Sequence, residues 1–369
     1  MKNLYLDISI LHPNPASNMN RDDAGSPKTV IYGGVVRSRV SSQSWKRAVR
    51  EYFNRNKNDK LVGTRTKDAV ELISKRMVEI DNSLKKDDAV KKVVEALKLD
   101  KEHKHGITKI DKNNKTSALL MLSHKQIDKS AQYILNNGND LDEKKLKEIL
   151  MDDNSLDLAL FGRMVADDPE LNVDAAAQVA HAVSTHEIVP EYDYYSALDD
   201  EQPDDAQGAA MLGTIEFNSS TLYRYANVNV NELIYNFGRE NAVEGVAEFL
   251  KAFILSMPAG KQNTFANKTL PGYVMVTIRK DTPVNLVSAF EDPIKSHGGY
   301  MKESIKRLEK EYANTLKFVE KPIANFVLSL EDIKHLDDDL VEDVDGIDSL
   351  LDKVTEVLNE AVQDESSND

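Results

Sequence analysis

Cysteine is absent from the 369 residues, and that absence removes disulfides, iron–sulfur clusters, thiolate zinc sites and cysteine nucleophiles together. No apolar run approaches the roughly eighteen residues a membrane span needs. The opening "MKNLYLDISILHPNPASN" is not followed by a long apolar stretch with a small-residue cleavage site, so a soluble cytoplasmic protein with no membrane partner is expected. The catalytic fingerprints are missing as well. There is no G-x-S-x-G, no phosphate-binding P-loop and no G-x-G-x-x-G. "HAVSTHE" separates His181 and His186 by five positions, the wrong spacing for two metal ligands on one helix face. Asp22–Asp23 and Asp167–Asp168 could hold a metal, but adjacent loop acids are as readily solvated. No catalytic residue, metal or cofactor is expected.

The charge is present but unevenly placed. The net charge is −15, yet residues 331–369 hold fifteen acids and two lysines, which leaves the preceding 330 residues near neutrality at −2. Residues 28–57 run the other way, with eight bases and one acid. Within them, "RSRVSSQSWKRAVR" (Arg37 to Arg50) packs five positive charges into fourteen residues. An acidic isoelectric point therefore says little against an anionic partner, because the local patch is what such a partner meets.

The length allows two or three domains, or one with large insertions. Leu4, Leu6, Ile8 and Ile10 alternate with polar positions, which predicts a half-buried strand, and "HPNPASNMNRDDAGSPK" reads as loop. "TVIYGGVVRSRV" reads as a strand or hairpin broken at Gly33–Gly34. "SSQSWKRAVREYFNRN" has a serine cap and Trp45, Val49 and Phe53 at helical spacing. Residues 66–150 form a helical block, with Ala69, Ile73, Met77 and Ile80 on one face and Val90, Val93, Val94 and Leu97 on another. "SLDLALFGRMV" returns to alternation and predicts a strand. The alanine-rich "DAAAQVAHAVSTHEI" predicts a helix turning to strand. A polar segment with seven acids surrounds Tyr194–Tyr195. "LGTIEFNSSTLYRYANVNV" is a strand with Tyr223 and Tyr225 on one face and Leu222 and Arg224 on the other. "NAVEGVAEFLKAFILSM" is an apolar helix and "GYVMVTI" a short strand. Helix then dominates, closing with Ile347, Leu350, Val354, Leu358 and Val362 on one side, before a disordered "DESSND". Strand–helix–strand units around long insertions predict an α+β fold of ferredoxin-like type.

Two readings compete for the basic stretch: a solvated helix face, or a backbone-tracking phosphate site. For the second, a helix N-terminus offers unpaired N–H groups, Ser41 and Ser42 add donors, and Lys46, Arg47 and Arg50 lie within about a turn. Arg37 and Arg39, two apart on a strand, share a face, and Arg21 and Lys28 lie upstream. Tyr194–Tyr195 fits either a wedge between bases or an anchor docking the arm to its own body. Lys261, Gln262 and Asn263 sit in a Pro/Gly loop that can donate to phosphate or simply connect.

Read together, "NRDDAGSPKTVIYGGVVRSRVSSQSWKRAVR", "LFGRM", "QVAHAVSTHE", "DYYSALDD", "GTIEFNSSTLYRYANVN" and "PAGKQNTF", in that order, resemble the CasC family. This is the CRISPR RNA backbone subunit of the type I-E CRISPR Cascade complex, within the Cas-seven superfamily. The resemblance spans residues 1 to about 280 and implies a hand-shaped α+β fold: a modified RRM or ferredoxin-like palm, a helical fingers insertion and a β-hairpin thumb. The implied boundaries are palm at 1–62, 155–189 and 216–330, fingers at 63–154, thumb arm at 190–215 and an acidic C-terminal segment at 331–369. It implies a non-catalytic subunit, copies of which polymerise along CRISPR RNA with other Cascade subunits and present the guide in kinked segments for pairing with target DNA. Carried over by position, Arg21, Lys28, Ser41, Gln43, Lys46, Arg47 and Arg50 line the RNA groove, along with Arg37 and Arg39 beside them. Lys261, Gln262 and Asn263 form a further contact loop, and Met164 and the pair Tyr194–Tyr195 brace the kink. The alternative is a metal-dependent ribonuclease that cuts target RNA, with Asp22 or Asp23 in the loop-aspartate role.

Overall fold

A computed structural model of the protein describes residues 3–55, 58–98, 107–138, 140–197, 211–332 and 334–366. The lysine-rich "KEHKHG", residues 198–210 of the expected arm and the last three positions of the expected disordered end lie outside the described residues. The chain runs through β1 (Tyr5–Ser17), β2 (Thr29–Tyr32), β3 (Val35–Val40) and α1 (Ser42–Arg55). There follow β4 (Thr64–Thr66), α2 (Ala69–Ile80), α3 (Lys86–Leu97), β5 (Leu120–Leu122), α4 (His124–Asn137), α5 (Glu143–Met151) and α6 (Leu156–Phe161). Next come β6 (Ala177–Val179), β7 (Ala182–Ser184), β8 (Glu191–Ala197), β9 (Met211–Asn229), α7 (Val230–Phe237) and α8 (Arg239–Leu255). The last elements are α9 (Gln262–Phe265), β10 (Tyr273–Arg279), α10 (Met301–Thr315), β11 (Ala324–Ser329), β12 (Glu342–Asp343) and α11 (Ile347–Ser366).

Two compact units divide these elements. The first comprises residues 1–49, 179–227 and 247–369 and carries the main sheet, ordered β12-β11-β10-β1-β9-β7-β3-β2, with β8 also paired to β9. The β1–β10, β10–β11, β2–β3, β3–β7, β7–β9 and β8–β9 pairings are antiparallel and β11–β12 is parallel. β1 and β10 lie side by side at the centre, with Tyr5 opposite Arg279 and Leu11 opposite Tyr273. Every residue of β10 is buried, as a strand covered on both faces requires. On one face Tyr223, Tyr225, Tyr273 and Met275 pack against Phe290, Leu308 and Tyr312. The tyrosine hydroxyls find partners, as buried ones must: Tyr225 donates to Asp7 Oδ1 at 2.7 Å and Tyr223 lies 3.2 Å from Ser9 Oγ. Burial pushes the Asp7 carboxyl up to about 6 despite that bond and the Val284 N–H.

β1 continues to Ser17 through Pro13 and Pro15, where the sequence predicted loop. The Gly272 N–H donates to Leu11 O at 2.9 Å, so the polar backbone of Leu11 points at β10. The missing N–H groups of Pro13 and Pro15 would point the same way, past the end of that ladder, and no sheet bond is lost. At the chain's end, α11 docks through Leu350, Val354, Leu358 and Val362, the expected face. The helix runs on to Ser366, which corrects the expectation of disorder from Asp364. "Helix then dominates" also needs correcting, because β11 and β12 complete the sheet beside α10 and α11.

The second unit comprises residues 50–178 and 228–246. α2 to α5 enclose Ile73, Met77, Val93, Leu97, Ile127, Ile134, Leu146 and Leu150, close to the two faces the spacing predicts. Ser123 and Gln126 form a reciprocal capping box at α4. "SLDLALF" is not a strand but α6, ended by Gly162 at φ 77°. Its first five residues, Leu156 to Leu160, are all buried, and a helix covered all round shows no 3.6-residue signature. "DAAAQVAHAVS" holds β6 and β7 and no helix. This unit takes in more chain than the expected 63–154. Asn236 of α7 donates to Asp174 O at 2.8 Å, while Val165 and Leu171 join the helical core.

Candidate nucleic-acid interface

In the sheet-bearing unit, Gly33 and Gly34 turn the β2–β3 hairpin at φ 62° and 80°, the two left-handed positions of a type I′ turn. The hairpin brings Arg37 and Arg39 to one face of β3, with unequal fates. Arg37 is fully buried and donates to the carbonyls of Tyr32, Ser184 and Phe290 at 3.1, 2.9 and 2.8 Å. Its donors are satisfied inside the fold, so its assignment to an RNA groove is corrected to a structural one. Arg39 is half-buried; its Nε donates to Thr29 O at 3.0 Å and its Nη1 lies 3.1 Å from His181 Nδ1. Burial, then the charges of Arg39 and Lys28, hold the His181 imidazole below its ordinary pKa. Two cations and a neutral ring thus converge.

A backbone network joins this cluster to α1. The Lys28 N–H donates to Asn20 O and the Arg39 N–H to Lys28 O, both at 2.9 Å. Asn20 Oδ1 accepts from the Ser41 N–H at 2.8 Å. Ser41 is buried at 6% exposure, and its Oγ accepts the Ser44 N–H at 3.4 Å. That contact sets it at the start of the helix, ahead of the ridge. Gln43, Lys46 and Arg47 stand at i, i+3 and i+4, the spacing of a single ridge. Gln43 and Arg47 are exposed and Lys46 is half-buried, its ammonium pKa lowered by burial. Trp45, Ala48 and Val49 face the core. The next cation, Arg50, belongs to the helical unit. Its Nε lies 2.7 Å from Oδ2 of the fully buried Asp157, and Nη2 donates to Gly63 O at 3.0 Å. That pairing removes Arg50 from the ridge.

Opposite Tyr223 and Tyr225 lies a residue to which the sequence assigned no role. The Arg224 guanidinium sits 3.7 Å from the Trp45 ring centre and 4.6 Å from that of Phe253. It also lies 2.8 Å from His12 Nδ1 and donates to Phe253 O. Burial lowers its pKa to about 9, and burial together with Arg224 lowers that of His12 to about 3. The available signal was an arginine on the inward face of an apolar strand.

The 257–267 loop approaches the same cluster. A Cβ on Gly260 would fall 2.2 Å from Met19 O, so only glycine lets the loop press against the chain next to Asn20. Lys261 follows at φ 54° and is exposed, as is Asn263; Gln262 is half-buried. Arg21 is exposed nearby in chain, bridged to Pro27.

β8 and the start of β9 form the described part of the arm, with Tyr194 opposite Thr214 and Tyr195 opposite Gly213. Successive residues face opposite sides. The Tyr195 ring comes within 2.4 Å of where a Gly213 Cβ would stand, so it lies over that glycine. Tyr194 is 67% exposed, and Tyr192, which the sequence reading passed over, is 68% exposed on the same face. In the helical unit, Met164 is 80% exposed. It follows Arg163, which is buried and donates to Leu171 O and Leu150 O at 2.8 Å and to Met121 O at 3.2 Å. An apolar side chain is thus held in solvent on an anchored loop.

Comparison with known proteins completes the picture. The CT1975-like protein family matches residues 6–353. The chain belongs to that family. A chain of the structure described as "CRISPR RNA-guided surveillance complex, pre-nicking" is 34% identical, with a TM-score of 0.83 over 95% of this chain and 99% of that one. A chain from another "CRISPR RNA-guided surveillance complex" is 29% identical, with a TM-score of 0.63 over 96% and 99%. Curated protein sequences give no match. The mostly antiparallel sheet with its helices is the RRM-like palm fold of Cas-seven-like subunits. Among the described residues no helix is long and apolar enough to cross a membrane.

Proposed function

We propose that this protein is the non-catalytic CRISPR RNA-binding backbone subunit, CasC, of a type I-E Cascade complex. Copies polymerise along the guide with other Cascade subunits in the cytoplasm, and the guide is presented in kinked segments for pairing with target DNA. The observation that carries the reading is the ridge of Gln43, Lys46 and Arg47 beside the Lys28–Arg39 cluster and the Lys261–Asn263 loop, on a fold shared with surveillance-complex chains. Phosphates are the sequence-blind part of RNA, and a guide holder must be sequence-blind. Cations with amide donors supply that grip. Tyr194 and Met164 are the exposed apolar groups assigned to the kink, with Tyr195 bracing the arm from its place on Gly213.

Copurification from cells growing with a CRISPR array tests the reading. RNA of guide length that stays through washing supports it, and nucleic-acid-free protein contradicts it. The ribonuclease alternative gains no specific support: Asp22 Oδ1 accepts the Ser26 N–H at 2.9 Å within its own loop. Incubating the assembled complex with complementary RNA and magnesium decides between them, because regularly spaced cuts belong to the nuclease alone.

A further inference from the structure

Arg224 stands where two elements assigned to RNA meet, α1 and the 257–267 loop, and the three lie in the sheet-bearing unit. Stability alone does not account for it. The side chain is 1% exposed, burial alone lowers its pKa, and its Nε has no acceptor among the described residues. A buried guanidinium without a carboxylate is costly where a well-packed apolar residue is not. Its contacts give the reason for keeping it.

Toward α1, the guanidinium lies over the Trp45 ring at 3.7 Å, and Trp45 directly precedes Lys46 and Arg47 on the ridge helix. Toward the loop it acts on both stems. On the first, Nη2 donates to the carbonyl of Phe253 in the last turn of α8. On the second, a relay of hydrogen bonds runs one way. An arginine N–H only donates, so His12 Nδ1 accepts from Nη1 at 2.8 Å. The His12 ring is neutral, its pKa held down to about 3 by burial and by Arg224. Its one proton therefore sits on Nε2 and goes to Thr269 Oγ1 at 2.9 Å. The Thr269 hydroxyl in turn donates to Pro13 O at 2.6 Å. Each donor in the relay has one acceptor, which fixes the stem.

The loop between those stems needs fixing. Lys261 at φ 54° and Ala266 at φ 46° flank α9. A side chain makes such left-handed positions costly, and they persist only where the surroundings impose them. Asn267 is fully buried, yet neither polar atom of its side chain has a hydrogen-bond partner among the described residues. Its amide therefore does not hold the loop. Elsewhere the loop rests on the Gly260–Met19 approach and on Phe265, whose ring lies 5.6 Å from that of Phe217.

We propose that Arg224 is a positioning residue for RNA binding: it fixes the α1 ridge and the Lys261 loop in one register, so that both grip the same strand. It touches no RNA itself. The inference rests on the RNA-binding reading and adds to it the coupling between the two gripping elements.

The test measures the affinity of the full chain for a labelled single-stranded RNA over a range of salt, with tryptophan emission as a second readout. Thr269→Val keeps the shape of the side chain and removes the hydroxyl at the far end of the relay. It is expected to weaken binding about fivefold. The slope of log affinity against log salt should become shallower by about 0.7, the contribution of one phosphate. Thr269→Ser should restore both. In a Lys261→Ala background, Thr269→Val should change nothing further. Trp45 is the one tryptophan of the chain, and its emission should shift in Thr269→Val and return in Thr269→Ser. Arg224→Met is expected to lower affinity and slope more than Thr269→Val, because it releases α1 as well. Where that variant does not fold, the Thr269 cycle decides alone. Wild-type affinity and slope in Thr269→Val, unchanged Trp45 emission, or a defect shared by Thr269→Ser overturns the proposal. So does a loss that adds in full to that of Lys261→Ala, or a Lys261→Ala variant that binds as the wild type does. If the wild-type chain binds no RNA, the proposed function fails and the inference with it. Binding that is lost in the Lys46/Arg47 variant but untouched in Thr269→Val fails the inference alone.

Discussion

The basic stretch near the start of the chain and the acidic stretch at its end look alike in sequence, as two runs of one sign, and the fold uses them differently. In residues 28–57 the cations are sorted. Arg37 goes inward onto three carbonyls and Arg50 onto a buried carboxylate, while Arg47 stays in solvent and Arg39 and Lys46 stay half-exposed. Among the described side chains of residues 331–363 no such sorting occurs. α11 docks through aliphatic residues, and apart from the Asp343–His335–Glu309 contact the acids remain mostly on the exterior. The charge of a stretch therefore does not count its ligands. The cations that folding keeps within reach of solvent do.

The largest effect follows from that sorting. Replacing Lys46 and Arg47 by alanine should remove guide retention, measured by absorbance near 260 nm after purification, and leave the unfolding free energy within about 0.5 kcal/mol of the original. Arg50→Ala should do the reverse, destabilising the helical unit by about 3–5 kcal/mol because Asp157 is left buried and unpaired. Chemical denaturation measures this. A neutral Arg50→Ala, or an unfolded Lys46/Arg47 variant, would erase the distinction between the two populations.

Next in size is the arm. Tyr194→Ala should cost about 1–3 kcal/mol of stacking per base and alter the periodic nuclease footprint of the guide. Tyr195→Ala should act mainly by loosening the arm over Gly213. Identical footprints for both variants would show that the face each tyrosine occupies is irrelevant.

The smallest effect tests the acidic end. Burial opposes charge on His335, but Glu309 at 2.6 Å and Asp343 at 3.0 Å outweigh it and raise its pKa above the ordinary 6.5. A raised folded-state value means the contribution is whole below about pH 6.5 and is lost as pH climbs through the folded pKa. Exchange of the Leu336 amide, which donates to Glu309 Oε2 at 3.2 Å, should accelerate over that rise, and His335→Gln should flatten the profile. Asp7 contributes with the same sign but earlier. Its carboxyl shifts from 3.8 to about 6, so its share is gone by the time that of His335 begins to fall.

Much of the fold was legible because its signals were local. The alternation of β1, the Gly33–Gly34 turn, the serine-capped α1 and the opposed faces of β9 follow from period and turn chemistry. The misses came where burial overrode period. α6 is covered on all sides, and its alternating leucines imitate a strand. Alanines of "DAAAQVAHA" line β6 and β7, where Ala177 and Ala182 are 1% and 0% exposed. Smallness serves packing there, not helix propensity. Of the site, the ridge and the loop were readable from residue type and spacing. The capture of Arg37, Arg50 and Ser41 was not, because their partners at 184, 290, 157 and 20 are distant in sequence.

The most direct measurement is the affinity of the full chain for two RNAs of equal length and unrelated sequence over a range of salt. The account predicts one common line, with log affinity falling against log salt by about 0.7 for each phosphate neutralised, and a shallower slope in the Lys46/Arg47 variant. An affinity that ignores salt, or that differs strongly between the two sequences, would contradict it.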